Sequence, residues 1–474
     1  MTAVLRAAFC VAVLFGLTST DLLPTAMSQS SPKLSTAEST PLRLGSGINF
    51  GNMLDAPNEG DWGLRVNTDW FARVKEAGFD HVRLPISWGY HTAKTSPYQI
   101  DAQFVRRVDT IVKACLDADL KLLINIHHDP NLNEQPAQNH DRFVAMWKQI
   151  AEHFRSLPND RVAFELLNEP HDVFNEDAKL WNQWVVDSLN VIRKSNPNRT
   201  VVVGPIRFNS VDSLDTLELP QDDNLVVTVH YYLPFDFTHQ GAPWTQPVKP
   251  TGIVWNANTA SIAGGWRNES WDTKTVGTTN GLQAAFERGW AGVQLRAASS
   301  RPIPQALELQ VDSKVALKIS LVSGEQKVAK DVTTAPGEPL RVTFDAGVLG
   351  GSFDRIYLQN NTANETQPFI VKSLSLVYAD RKESLLSTAG DAIRDDLAKA
   401  ARWGQQHGRA IYLGEFGAYQ EADMDSRARW TAAVRAAAES LQMDWAYWEF
   451  ASGFGIFDPR TQQYRQPLLN ALQP

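Results

Sequence analysis

Phe164-Glu165-Leu166-Leu167-Asn168-Glu169-Pro170 is an apolar run of strand type that stops in an amide, a carboxylate and a proline. The proline cannot donate to a sheet ladder and biases the residue before it towards extended backbone, so Glu169 is expected where a strand stops. On a strand buried between two layers, a carboxylate at that point projects from the end of the sheet. One other segment has the same build: Ala410-Ile411-Tyr412-Leu413-Gly414-Glu415-Phe416-Gly417, whose glycines let a backbone or a ligand come close. Two strand-end glutamates suggest paired-carboxylate chemistry, provided the fold brings them together.

Working outward, strand-like runs fall at Leu44–Phe50, His81–Leu84, Lys121–Ile126, Val162–Leu167, Thr200–Val203, Leu225–His230, Ala410–Leu413 and Met443–Tyr447. Amphipathic helical stretches stand between most of them: Thr68–Ala77, Ala102–Ala118, Asp141–Arg155, Ala178–Ser195, Ser387–Gln406 and Ser426–Ser440. Eight strands alternating with helices are the signature of an α/β fold of (β/α)8 TIM-barrel type. An open doubly wound sheet is the alternative, weakened because no Gly-rich phosphate loop follows the first strand. Between Trp255 and about Arg381 the helical period disappears. Short alternating runs take over at Gln305–Val311, Val315–Leu321, Leu340–Phe344, Phe353–Leu358 and Phe369–Tyr378. They read as an antiparallel β-sandwich of jelly-roll type, inserted in the loop after strand six, on the barrel face where active sites form.

The domain organisation expected is a signal peptide over residues 1–28, a disordered linker over 29–41, a barrel from 42–255 and 382–474, and the sandwich over 256–381. Arg6 followed by the apolar run Ala7–Leu17 is too short to span a bilayer and suits a secretory signal. A secreted protein, extracellular or periplasmic and without stable membrane association, is therefore expected. Beyond that segment Cys115 stands alone, which leaves no intrachain disulfide and implies a buried, inert thiol. A net charge of −8 argues against a nucleic-acid partner, and a monomer is the expected state. Fifteen Trp exceed what a core of this size needs and bring ring-shaped substrates such as sugars into consideration.

Other strand ends carry polar or aromatic groups: Arg83, the pair His127 and His128, the pair His230 and Tyr232, and Trp448. Any one of these has a structural reading, as an ion pair, a satisfied histidine or packing. Their repetition at one end of the strands points to a site, because the other face of a barrel carries mainly stability residues. A catalytic metal is not expected. His127, His128 and Asp129 are adjacent and diverge on a strand end, and the chain lacks a His-Glu-x-x-His helix.

With the Asn168-Glu169-Pro170 and Gly414-Glu415-Phe416-Gly417 motifs in place, the chain resembles family 5 of the glycoside hydrolases over roughly Leu42–Trp255 and Glu383–Gln473. The resemblance implies a (β/α)8 enzyme that cleaves β-linked glycans with retention, without a cofactor. It places the nucleophile on Glu415 and the proton donor and base on Glu169. Supporting positions fall on Arg83, His127 (His128 less well), Asn168, His230, Tyr232 and the platform Trp448. It also implies that Arg83 and Tyr232 keep Glu415 ionised, and that His127 and His230 orient the carboxylates. The implied substrate is a β-1,4-glucan in a cleft lined by Trp62, Trp88, Trp244 and Trp255. Mannan, xyloglucan and mixed-linkage glucan, transglycosylation, or a non-catalytic glycan-binding barrel stay open. The sandwich lies outside the family's usual barrel. It is similar to carbohydrate-binding sandwiches, with Trp266, Trp271 and Trp290 as candidate stacking residues, and a plain spacer is the other reading.

Overall fold

The computed structural model describes residues 40–474; the expected signal segment and linker residues up to 39 lie outside the described residues. Eight parallel strands close on themselves: Ser46–Asn49, His81–Leu84, Lys121–Asn125, Val162–Glu165, Val201–Val203, Leu225–Tyr231, Ala410–Phe416 and Asp444–Tyr447. Closure is made where Gly47 pairs with His81 on one side and Ala446 on the other. The fold is the TIM barrel expected.

Most strand residues are buried on both faces, which is why the strands read as continuous apolar runs. Outward positions such as Val82, Leu122, Phe164 and Val203 join the large core under the helices. Inward positions Leu123, Ala163, Val202, Val226, Tyr412 and Ala446 fill one end of the barrel interior. Side chains alternate faces along a strand. The next inward residues, Arg83, Asn125 and Glu165, are polar and fully buried. The interior is thus apolar at its base and ionic above it.

Several of the helices begin on side-chain caps. Asp101 Oδ1 accepts from the Phe104 N–H at 2.7 Å ahead of Ala102–Asp117, and Asp177 accepts from the amides of Lys179 and Leu180 ahead of Ala178–Ser195. Between the fifth and sixth strands only short turns, Ile206–Asn209 and Val211–Thr216, replace a long helix. No described helix is long and apolar enough to cross a membrane. Cys115 is buried and free, and burial pushes its thiol up.

The chain leaves the barrel after the sixth strand and returns at the seventh. In between it forms a six-stranded and a five-stranded antiparallel sheet around a second core that includes Leu307, Leu317, Phe353 and Leu376. Strands at Thr273–Thr278, Gly281–Phe286, Gly292–Pro302 and Gln326–Thr333 join those expected. The last is an edge strand with mostly exposed polar residues, which carries no hydrophobic signal. A two-stranded ladder, Ala260–Ile262 against Leu386–Thr388, closes the neck of the insert.

Candidate active site

The site is built upward from Arg83. Its Nε and Nη2 meet both oxygens of Glu165 at 2.6 and 2.9 Å. Nη1 donates to Asn49 Oδ1 at 2.8 Å and to Glu415 Oε1 at 2.7 Å, and Nη2 also donates to Asn168 Oδ1 at 2.7 Å. All the N–H donors of the guanidinium are therefore engaged without water. Burial works against its charge, but Glu165 and Glu415 outweigh that and raise its pKa further. Arg83 is a fixed cation that sets the position of a carboxylate and an amide above it.

Glu415 reaches that cation through an irregularity in its strand. Leu413 pairs with Val229 and Glu415 with His230, so Gly414 is the extra residue of a bulge that turns Glu415 to the interior. Its other oxygen accepts from the Tyr232 hydroxyl at 2.8 Å. Glu169 arrives differently. The ladder of its strand ends at Glu165, three more residues follow, and Glu169 adopts φ of +49°. The proline after it does not hold it extended. A non-glycine residue in this region is strained, and such strain gathers at functional sites.

His230 joins the two carboxylates. Its Nδ1 lies 2.7 Å from Glu169 Oε1 and 3.6 Å from Glu415 Oε2. On its far side Asn209 Nδ2 donates to Nε2 at 3.2 Å, which leaves the ring proton on Nδ1, facing Glu169. Burial lowers the His230 pKa to about 4, against the pull of Glu415, so the ring is neutral at pH 7. Oxygens of Glu169 and Glu415 and a nitrogen of His230 all lie within 4.8 Å of one another. Burial raises both carboxyls, Glu169 to about 7. Glu415 has the Arg83 charge and the Tyr232 hydroxyl as counterweights. Glu169 has no hydrogen bond from the guanidinium, so a single shared proton settles on Glu169.

Trp448 lies against Gly51, where a Cβ would come within 2.6 Å of its ring. His127 stacks parallel to it, with centroids 5.5 Å apart and planes within 4°. A cleft of about 1300 Å³ opens above, lined by Glu169, Glu415, Asn168, His230, Tyr232 and Trp448. Trp62 and Trp244 stand exposed on its rim, and His128 meets Trp62 edge to face at 5.6 Å.

Three expectations are corrected. His127 orients no carboxylate: its Nδ1 pairs with Asn125 Nδ2 at 3.0 Å and its ring supports Trp448. Trp88 does not line the cleft, because its indole donates to Asn125 O at 3.0 Å and packs against Phe104. Trp255 is likewise buried in the barrel's core. Other residues of the site carried a weaker signal. Glu165 and Asn125 are betrayed by period-two alternation with Ala163 and His127. Asn209 had none, since it depends on three consecutive left-handed residues, Arg207, Phe208 and Asn209.

Two clusters have metal-ligand spacing, Asp55 with His127 and His128, and Glu169 with His230 and Glu415. In both, hydrogen bonds already draw on the carboxylate oxygens. Asp55 accepts from the amides of Asn52 and Met53, and both oxygens of Glu415 hold donors. These residues fit proton transfer better than ion binding.

A barrel that presents two carboxylates over a buried arginine, beside an aromatic platform, defines a glycan-cleaving class of site. The family model described as "Cellulase (glycosyl hydrolase family 5)" matches residues 45–275. A solved endoglucanase structure, 30% identical, superposes with a TM-score of 0.61 over 90% of this chain and 96% of that one. A Thermotoga maritima Cel5A solved with mannotriose, 28% identical, does so at 0.61 over 90% and 97%. Endoglucanase H of Acetivibrio thermocellus is 38% identical over 44% of this chain and 23% of that protein. Cellodextrinase A of Ruminococcus flavefaciens is 31% identical over 38% and 54%. The chain belongs to glycosyl hydrolase family 5, the cellulase family. It spans between about a quarter and a half of the length of these curated relatives.

Proposed function

We propose that this protein is a retaining, endo-acting glycoside hydrolase of β-1,4-glucan. The observation that carries the reading is the closeness of Glu169 and Glu415 beside His230, with their oxygens within 4.8 Å of each other. Retention uses carboxyl groups about 5–5.5 Å apart, whereas inversion needs room for a water, about 6.5–9.5 Å. Glu415, aligned by Arg83 and Tyr232, attacks the anomeric carbon while Glu169 protonates the leaving oxygen. Water, deprotonated by Glu169, then releases the sugar from Glu415. Asn168 gives its oxygen to Arg83, which leaves Nδ2 to donate to the sugar 2-hydroxyl. Trp448 stacks on the ring beside the scissile bond. The rim aromatics Trp62 and Trp244 suit a chain longer than one sugar.

Product analysis tests this. Carboxymethylcellulose should lose viscosity and gain reducing ends, with the β-anomer appearing first, and Glu415→Ala should abolish both while keeping the fold. Full residual activity of that variant would overturn the assignment. Rearranged glycans would instead mean transfer, and no change with the parent chain would mean a binding protein. A mannan and xyloglucan arm belongs in the same panel, since a structural relative was solved with mannotriose. The Ala7–Leu17 run supports action after export, and the proposed two-carboxylate chemistry calls for no metal. Treatment with EDTA should leave the rate unchanged.

A further inference from the structure

The inserted sandwich carries an aromatic ledge that the barrel chemistry does not use. The outer face of its five-stranded sheet bears Gln294 and Arg296, then Arg355, Tyr357 and Gln359, then Lys318, at alternate positions whose neighbours point into the core. Trp271 lies flat on this face. A Cβ on Gly292 would come within 2.5 Å of its ring, so the sheet needs glycine there and the indole presents its other side outward. Its edge meets Tyr357, with centroids 5.2 Å apart and planes at 76°.

Trp290 completes the ledge. It is 55% exposed and holds φ of +65°, a conformation that bulky residues rarely take. Two side chains pin it, because its carbonyl accepts from Trp271 Nε1 at 3.0 Å and from Gln359 Nε2 at 2.9 Å. The Lys318 ammonium lies 5.9 Å from its ring centroid. Folding an exposed indole into a strained backbone is unfavourable for a spacer, and is accounted for by a ligand that uses the ring.

The chemistry of that ligand follows from the surroundings. The charges on the face are paired among themselves: Arg296 with Glu269, Arg355 with Asp354, and Lys318 with Asp331. A polyanion finds no free row of cations here, whereas flat sugar faces find rings, and hydroxyls can donate to the side-chain oxygens of Gln294 and Gln359, whose nitrogens bond Glu269 and the Trp290 carbonyl. The face also runs to the cleft, because Arg267 on the adjoining edge strand approaches Asp212 at 3.8 Å, and Asp212 lines the cleft.

We propose that Trp271, Tyr357 and Trp290 form a second binding site, for a neutral, unbranched β-glucan chain continuous with the one in the cleft. The choice of glucan rests on the function proposed above. The test is migration of the full chain through native gels containing soluble β-glucan, together with pull-down on insoluble cellulose. Trp290→Gly suits the φ of that position and keeps the carbonyl, so it should fold at least as well as the parent. Alone it should weaken retention several-fold, and with Trp271→Ala about tenfold or more. Unchanged retention by the folded double variant would overturn the site. So would preferential retention in gels containing a polyuronate. A parent chain that hydrolyses no glycan but is retarded in a Trp290-dependent way would sink the enzymatic reading and leave the second site standing.

Discussion

Glu165 decides how firmly Arg83 is held, although it touches nothing in the cleft. It and Arg83 are both fully buried, and a buried ion pair broken from one side leaves a charge with no water to receive it. Glu165→Ala should therefore destabilise the protein by about 3–5 kcal/mol, read from denaturant midpoints. Activity should fall as well, because Arg83 then loses the anchor that aims it at Glu415. In the proposed mechanism Glu169 governs pH dependence. It would have to be protonated to release the leaving oxygen, and burial raises its carboxyl to about 7. Above that value the protonated fraction falls, so kcat/KM should drop about tenfold per pH unit on the alkaline side. The acid side should be set by protonation of Glu415, the proposed nucleophile. Glu169→Gln should lose the alkaline limb with an activated aryl glycoside, which needs no proton donor; a limb that survives unchanged would assign it elsewhere.

At the scale of elements, two irregular segments do what regular strands cannot. The bulge at Gly414 turns Glu415 inward, and the left-handed run Arg207–Asn209 delivers Asn209 to His230 while leaving Phe208 exposed on the cleft. Left-handed backbone costs about 1–2 kcal/mol for a residue with a Cβ. Arg207 is exposed and only its backbone N–H is used there, by Asn175 Oδ1. Arg207→Gly should raise stability by about 0.5–1 kcal/mol once glycine's own entropy is counted, visible as a higher urea midpoint. These segments also mark the limit of what the sequence pattern encodes. Barrel strands and helices announce themselves through apolar runs and the 3.6-residue period, so their bounds were readable to within a few residues. Arg83, Glu169, His230, Tyr232 and Glu415 stood at strand ends beside recognisable neighbours. A bulge or a left-handed turn is set by three-dimensional closure and leaves no periodic trace. The tryptophans show the same limit, since Trp62 and Trp88 have similar local sequence but only one reaches the cleft. Trp266 also lost its candidate role: it is buried, with its indole donating to Glu383 at 3.0 Å.

For the whole molecule, the informative fact is that the barrel and the insert bury separate hydrophobic cores. They are joined by a neck in which Ile262 pairs directly with Leu386. Paired antiparallel residues are close enough for a two-residue Asn-Gly turn to connect them. Replacing Ala263–Leu385 by such a turn removes the second core and cuts no barrel strand. Ile262 and Leu386 lean on the sandwich core and would become wet, so both should be changed to threonine. The shortened chain should melt in one calorimetric transition where the full chain shows two, because each core is its own cooperative unit. It should still thin carboxymethylcellulose, since Arg83, Glu169 and Glu415 draw every contact from the barrel. Binding to insoluble cellulose should fall as far as in the Trp271→Ala, Trp290→Gly variant. If binding stays at the level of the full chain, the sandwich is a spacer. If the shortened barrel cannot fold, the neck is part of the barrel's core after all.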